Sequence, residues 1–120
     1  MWLVAIGGMF GAVTRFLLGK WVTSKINSSF PFGTWGINIS GSFLLGLLAA
    51  LHVKNMAPDW MWLLVGIGFL GAFTTFSTFA YETIQMLQRK ENRPAVIYVV
   101  TSVTFSILFV WIGQYIGRIV

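Results

Sequence analysis

Long apolar runs separated by short polar stretches dominate the sequence. Four runs are long enough to cross a bilayer core, which takes about 20 residues, and they cover roughly residues 2–19, 34–51, 60–87 and 95–117. The stretches between them carry the prolines and most of the Asn, Lys and Arg. This pattern predicts a single domain over residues 1–120, an all-α integral membrane protein with four transmembrane helices.

The third run contains a polar interruption, GAFTTFSTF, from Gly71 to Phe79. Threonine loses side-chain freedom against the preceding helical turn, so Thr74 and Thr75 followed by Ser77 and Thr78 weaken a helix here. Unpaired backbone groups are costly inside a membrane unless they are buried in protein or line a polar cavity. The segment therefore predicts a break in the third helix and is the strongest functional signal in the chain.

Composition narrows the function classes. The chain is 57% hydrophobic and 9% charged, with a mean hydropathy of +0.80, whereas soluble domains carry about 25% charged residues. It has no cysteine, one histidine (His52) and three acidic residues. This inventory excludes disulfides and thiolate metal sites, and it is a poor set for an enzyme. The net charge of +5 comes mainly from Lys and Arg that flank the apolar runs, which is typical of membrane anchoring and not of nucleic-acid binding.

The same basic residues bear on topology. One side of the membrane would hold Lys20, Lys25, Arg89, Lys90 and Arg93, and the other side Lys54 and Arg118. The positive-inside rule then places both termini outside. The bias is modest for so small a chain, and it leaves both orientations open.

Each span also carries a stripe of small or polar residues. In the first span Gly7, Gly11, Arg15 and Gly19 recur at intervals of four. The glycines predict close approach of a neighbouring helix. Two interpretations of Arg15 stay open: its side chain reaches the nearby interface, or it turns inward, bonds the ends of other helices and attracts anions.

The stripes of the other spans have two interpretations each: they serve helix packing, or they line a polar path. They comprise Asn38, Ser42 and Gly46 in the second span, Gly68, Gly71, Thr75, Thr78 and Glu82 in the third, and Tyr98, Ser102 and Ser106 in the fourth. Hydrogen-bond donors far outnumber carboxylates in this set, which favours a path for a small anion. The electropositive ring edges of Phe76 and Phe79 suit the same ligand. Since four helices leave little room for an enclosed path, we expect a homo-oligomer, most simply a dimer.

Three stretches resemble the signatures of the Fluc or CrcB fluoride channels. They are GGMFGAVTRF from Gly7 to Phe16, PFGTWGINISGSF from Pro31 to Phe43, and GFLGAFTTFSTF from Gly68 to Phe79. The resemblance covers essentially the whole chain, and the TTFSTF core is highly specific. The chain departs from the family pattern at Phe16, where tyrosine is usual, and at Ala72, where a second glycine is frequent. Its five-to-two charge bias also differs from the near balance that insertion in both orientations favours.

The resemblance implies an inverted, dual-topology homodimer with two narrow fluoride pathways. By this resemblance the pathway residues are Asn38, Phe76, Phe79, Ser77, Thr78, Tyr98, Ser102, Ser106 and Glu82. Arg15 would belong to a vestibule, and the backbone carbonyls of Gly71 and Thr74 would hold a structural Na⁺ at the dimer centre.

The implied function is passive, fluoride-selective export down the electrochemical gradient, which confers fluoride resistance, in a multi-pass protein of the inner (plasma) membrane. The expected partners are fluoride, a second copy of the chain in antiparallel orientation and membrane lipid, with no nucleic acid. One alternative is a small multidrug/proton antiporter, which needs an embedded carboxylate where the first span offers Arg15. The other alternative is a structural membrane subunit whose stripes serve packing alone.

Overall fold

The computed structural model describes residues 2–26, 30–74 and 76–120, with Ser77 described by its backbone only. Within these residues, four helical spans are long and apolar enough to cross a membrane, as the sequence predicts. Helix α1 covers Trp2–Lys25, α2 covers Phe32–Val53 and α6 covers Asn92–Ile119. The third span consists of α3 (Asp59–Met61), a π-helical segment (Trp62–Leu70), α4 (Gly71–Phe73) and α5 (Ser77–Gln88).

Two helix ends, the end of α1 and the start of α6, differ most from their predicted positions. Helix α1 continues past residue 19 to Lys25, and the hydroxyls of Thr23 and Ser24 donate back to carbonyls of the preceding turn at 2.8 and 2.6 Å. Helix α6 begins at Asn92, so Pro94 lies in its first turn and not in the preceding loop. Proline is tolerated there because the first backbone N–H groups of a helix have no intrahelical acceptor.

The glycine face of α1 packs against the π-helical segment almost backbone to backbone. A Cβ added to Gly7 would lie 1.9 Å from the carbonyl oxygen of Leu64, and one added to Gly11 would lie 2.1 Å from that of Phe69. No side chain fits at either position, so the predicted close approach is confirmed. The π-helical geometry itself was not predicted.

Helices α2 and α6 form the second tightly packed pair. A Cβ on Gly46 would lie 2.3 Å from the carbonyl oxygen of Val110. Trp35 Nε1 donates to Thr101 Oγ1 at 3.0 Å, a hydrogen bond that joins the two helices inside the membrane-spanning region. At the other end of the pair, Lys54 Nζ donates to the carbonyl oxygen of Arg118 at 3.0 Å.

The predicted break in the third span is present. Helix α4 ends at Phe73, and Thr74 is extended, with φ −79° and ψ 148°. The backbone N–H and the hydroxyl of Thr74 both donate to the Leu70 carbonyl at 3.0 Å, and the chain re-enters a helix at Ser77. Before the break the third span packs mainly on α1, and after it α5 packs on α6 and α2.

Candidate functional site

Arg15 points inward, toward the break. Its Nε donates to the carbonyl oxygen of Ala72 at 3.1 Å, and the side chain is half-buried. Ala72 lies within α4, the last helical turn before the extended Thr74. The glycine face of α1 produces this geometry, because Arg15 follows Gly11 by one turn on the face that contacts the third span. Of the two interpretations, the inward orientation is confirmed, whereas an attraction of Arg15 for anions stays a prediction.

A cavity of about 770 Å³ lies beside Arg15, between the C-terminal half of α1, the start of α2 and α5. Its charged lining residues are Arg15, Lys20, Glu82 and Arg89, and its hydroxyl residues are Thr23, Ser24, Thr34 and Thr78. The structure thus brings together three of the predicted residues: Arg15, Thr78 and Glu82. The cations outnumber the carboxylates, so the cavity favours negative charge.

Glu82 connects the cavity to the interior of the helix bundle. The hydroxyl of Tyr98 donates to Glu82 Oε1 at 3.5 Å, and the side chain of Thr34 also hydrogen-bonds the carboxylate. Tyr98 is completely buried. Its ring lies 5.0 Å from that of Phe79, centroid to centroid, and meets the ring of Phe30 edge-on at 5.4 Å. Tyr98, Phe79 and Glu82 therefore form one continuous cluster.

Phe76 and Phe79 are neighbours, as their spacing predicts. Their ring centroids are 6.1 Å apart and their planes are inclined by 45°. Phe79 is half-buried, whereas Phe76 is 79% exposed on the outside of the helix bundle. The pair therefore leads from the buried cluster around Tyr98 to the surface of the bundle.

The hydroxyl line of the fourth span continues from Tyr98. Ser102 is only 4% exposed, and its Oγ has no hydrogen-bond partner within the described part of the chain. Ser106, one turn further along α6, is half-buried. Serines in helices commonly bond the carbonyl four residues back, as Ser42 does to Asn38 at 2.7 Å. A buried hydroxyl that makes no such bond leaves hydrogen-bonding capacity for another ligand.

Asn38 lies on the face of α2 that is directed toward the third span. On that face, Thr34 bonds Glu82, and a Cβ added to Gly41 would lie 2.5 Å from Thr74 Cγ2. Asn38 is half-buried between these two levels, one turn from each. Its position on α2 is therefore intermediate between the cavity and the break.

Gly71 and Thr74 flank the last turn before the break, where a helix leaves carbonyl oxygens without intrahelical donors. Gly71 is exposed, and an added Cβ would meet nothing within 4 Å. The described residues contain no group of three or more His, Cys, Asp or Glu that could hold a metal ion. A cation at this place would have to bind carbonyl oxygens, and the end of α4 supplies them.

Sequence reasoning missed two residues of the site, Thr34 and Phe30. Thr34 could have been found, because it precedes Asn38 by one turn and shares its face. Phe30 lies just before α2 and has no periodic pattern to mark it. The side chain of Ser77 and all of Thr75 fall outside the described residues, so what the sequence predicts for them stays a prediction.

Comparisons with known proteins cover nearly the whole chain and agree with one another. The family model described as "CrcB-like protein, Camphor Resistance (CrcB)" matches residues 2–114. A protein of Acidobacterium capsulatum named "Fluoride-specific ion channel FluC" is 42% identical over 117 residues, which are 96% of this chain and 93% of the relative. "Fluoride-specific ion channel FluC 1" of Geobacillus kaustophilus is 44% identical over 115 residues, covering 96% and 95% of the two chains. A Shewanella frigidimarina protein named "Fluoride-specific ion channel FluC" is 45% identical over 113 residues, covering 93% and 90%.

Proposed function

The chain belongs to the CrcB family, and we propose that it is a passive, fluoride-selective ion channel of the plasma membrane. The observation that carries this function is the similarity of more than nine-tenths of the chain to relatives named fluoride-specific ion channels. Four membrane-spanning helices agree with a multi-pass channel. The channel lets fluoride leave the cytoplasm down its electrochemical gradient and so confers fluoride resistance. It is not an enzyme.

The geometry supports a path from the cavity through the subunit. Fluoride enters beside Arg15, where cations outnumber carboxylates, and passes Thr78 toward Phe79 and Phe76. The ring edges of these phenylalanines carry partial positive charge and suit an anion that has lost water. On the facing helices, the path uses the amide of Asn38 in α2 and the hydroxyls of Tyr98, Ser102 and Ser106 in α6. In α5 it also uses Ser77, and it includes Glu82 at the cavity end.

Among these residues, Ser102 gives the clearest support. A hydroxyl buried without a partner costs about 1–3 kcal/mol, so a fold gains nothing from keeping one there. An anion on the path would accept a hydrogen bond from Ser102 Oγ and satisfy it. Packing alone, as in the structural-subunit alternative, gives no reason for a buried hydroxyl without a partner.

A second copy of the chain, inverted in the membrane, completes the channel in this proposal. Phe76 is largely exposed and Gly71 opens to the outside of the subunit, so a partner can approach both. The carbonyls of Gly71 and Thr74 would hold a structural Na⁺ between the two copies. The bound ion would neutralise converging carbonyl dipoles at the centre of the assembly.

The antiporter alternative is not favoured. Such a carrier exchanges protons at a carboxylate embedded in the membrane, whereas the first span of this chain carries Arg15. The relatives of this chain are named as channels.

The test is fluoride efflux from liposomes that contain the purified protein, followed with a fluoride electrode. We expect rapid fluoride release once a potassium ionophore supplies the counter-charge, and chloride release no faster than from protein-free liposomes. Equal fluoride and chloride rates would contradict the selectivity. Fluoride release that requires a proton gradient would contradict the passive mechanism and favour an antiporter.

A further inference from the structure

Arg15 has a feature that charge alone does not explain, namely its fixed bond to the backbone of the third span. The donor is Nε, the nitrogen nearest the backbone, and the acceptor is the carbonyl oxygen of Ala72 at 3.1 Å. We infer that Arg15 is a positioning residue: it caps the first half of the broken helix and fixes the break that precedes Phe76 and Phe79.

The local backbone creates the need for such a cap. In a continuous α-helix, the Ala72 carbonyl would accept from the backbone N–H four residues later, at Phe76. The extended Thr74 interrupts that ladder. A carbonyl left without a donor inside a membrane costs several kcal/mol in hydrocarbon-like surroundings, and the guanidinium supplies a charged donor instead.

The base of the Arg15 side chain is fixed by packing. One turn before it, the Cα of Gly11 lies against the Phe69 backbone so closely that no Cβ fits. Helix α1 therefore cannot slide along the third span, and the distance from the Arg15 backbone to Ala72 is set by this contact. An unbranched ammonium would not reproduce the bond, because arginine alone can bind a carbonyl through Nε and still present its two terminal nitrogens to the cavity.

Three variants separate positioning from charge. Arg15→Lys keeps the charge and loses the planar donor, and Arg15→Gln loses the charge. Lys20→Gln is the matched control, because Lys20 lines the same cavity and carries the same charge but contacts the ring of Phe16 instead of the break. If Arg15 acted through charge alone, Arg15→Lys would behave as wild type, and Arg15→Gln would behave as Lys20→Gln.

Hydrogen exchange measured by mass spectrometry reports on the break directly. The amides of Thr74 and Ala80, on either side of the break, donate to Leu70 and Phe76. We expect both Arg15 variants to exchange about tenfold faster or more in peptides covering residues 70–80. Peptides from α6 and the Lys20→Gln protein should exchange at wild-type rates. Wild-type exchange across the break in Arg15→Lys would overturn the inference.

Fluoride efflux gives a second readout, and for this readout the inference rests on the proposed function. If Arg15 positions the break, the maximal efflux rate at saturating fluoride should fall at least tenfold in both Arg15 variants. Added potassium sulfate should not change this loss. A charge effect would instead raise the half-saturating fluoride concentration and be screened by salt. If the wild-type protein does not conduct fluoride, the proposed function fails, whereas the exchange result still decides the role of Arg15.

Discussion

Replacing Ser102 by alanine should raise the stability of the protein and slow its fluoride transport. Ser102 Oγ is buried, without a partner among the described residues. Removing an unsatisfied hydroxyl relieves a cost of about 1–3 kcal/mol, and the loss of one oxygen leaves little empty space. We therefore expect the apparent melting temperature of Ser102→Ala in detergent to rise by a few degrees.

The same substitution should slow fluoride efflux. A hydrogen bond to a charged group contributes about 1.5–3 kcal/mol. If this bond is lost where the ion has shed its water, the rate falls by about 10- to 150-fold. The assay is electrode-monitored efflux at equal protein density, together with thermal unfolding followed by tryptophan fluorescence.

Ser40→Ala is the matched control. Ser40 is exposed on the outer side of α2, where its hydroxyl donates to the Ile37 carbonyl at 3.2 Å. The control should leave both quantities close to wild type. Wild-type efflux by Ser102→Ala would refute the reasoning because the hydroxyl would then not bind the ion, and a lower melting temperature would refute it because the hydroxyl would then stabilise the fold.

Three further predictions concern the ring edges, the packing and the cation. Phe76→Ile and Phe79→Ile keep bulk but remove the ring edge, so efflux should fall at least tenfold while the assembly persists on size-exclusion chromatography; unchanged efflux in both variants would exclude a role for the edges. Gly46→Ala places a Cβ 2.3 Å from the Val110 carbonyl, so α2 and α6 must separate and the melting temperature should fall by several degrees; Gly36→Ala, with nothing within 4 Å, should change the free energy of unfolding by no more than about 0.5 kcal/mol. Replacing Na⁺ by N-methylglucamine should stop efflux or dissociate the assembly, and indifference to Na⁺ would count against a cation at Gly71 and Thr74.

The sequence predicted the spans and the break well because both are local effects. Hydrophobic run length locates a membrane helix, and adjacent β-branched and hydroxyl residues weaken one, so Thr74 lies where the helix ends. For Arg15, its place on the glycine face of α1 favoured the inward direction but left an interfacial position open, and the bond to Ala72 decides between them.

Other features depend on contacts that periodicity does not encode. The π-helical segment, whose backbone bonds join residues five apart, has no hydropathy pattern that distinguishes it from an α-helix. The ring of Phe30, just before α2, meets that of Tyr98 in α6, a contact between residues far apart in the sequence. The extension of α1 to Lys25 runs through a polar stretch that a hydropathy profile places outside the span, and the hydroxyls of Thr23 and Ser24 bond back to the preceding turn there.

The break also gives the third span two different packing partners. Up to Phe73 the span packs on α1 through glycine contacts and on α2, and from Ser77 onward it packs on α6 and α2. Helix α2 therefore borders both halves of the third span, whereas α1 and α6 mainly contact one half each. The cavity beside Arg15 lies where these surfaces meet. A relative displacement of α1 and α6 would change the backbone at the break, so the residues that would carry fluoride are also those that would respond to movement within the helix bundle.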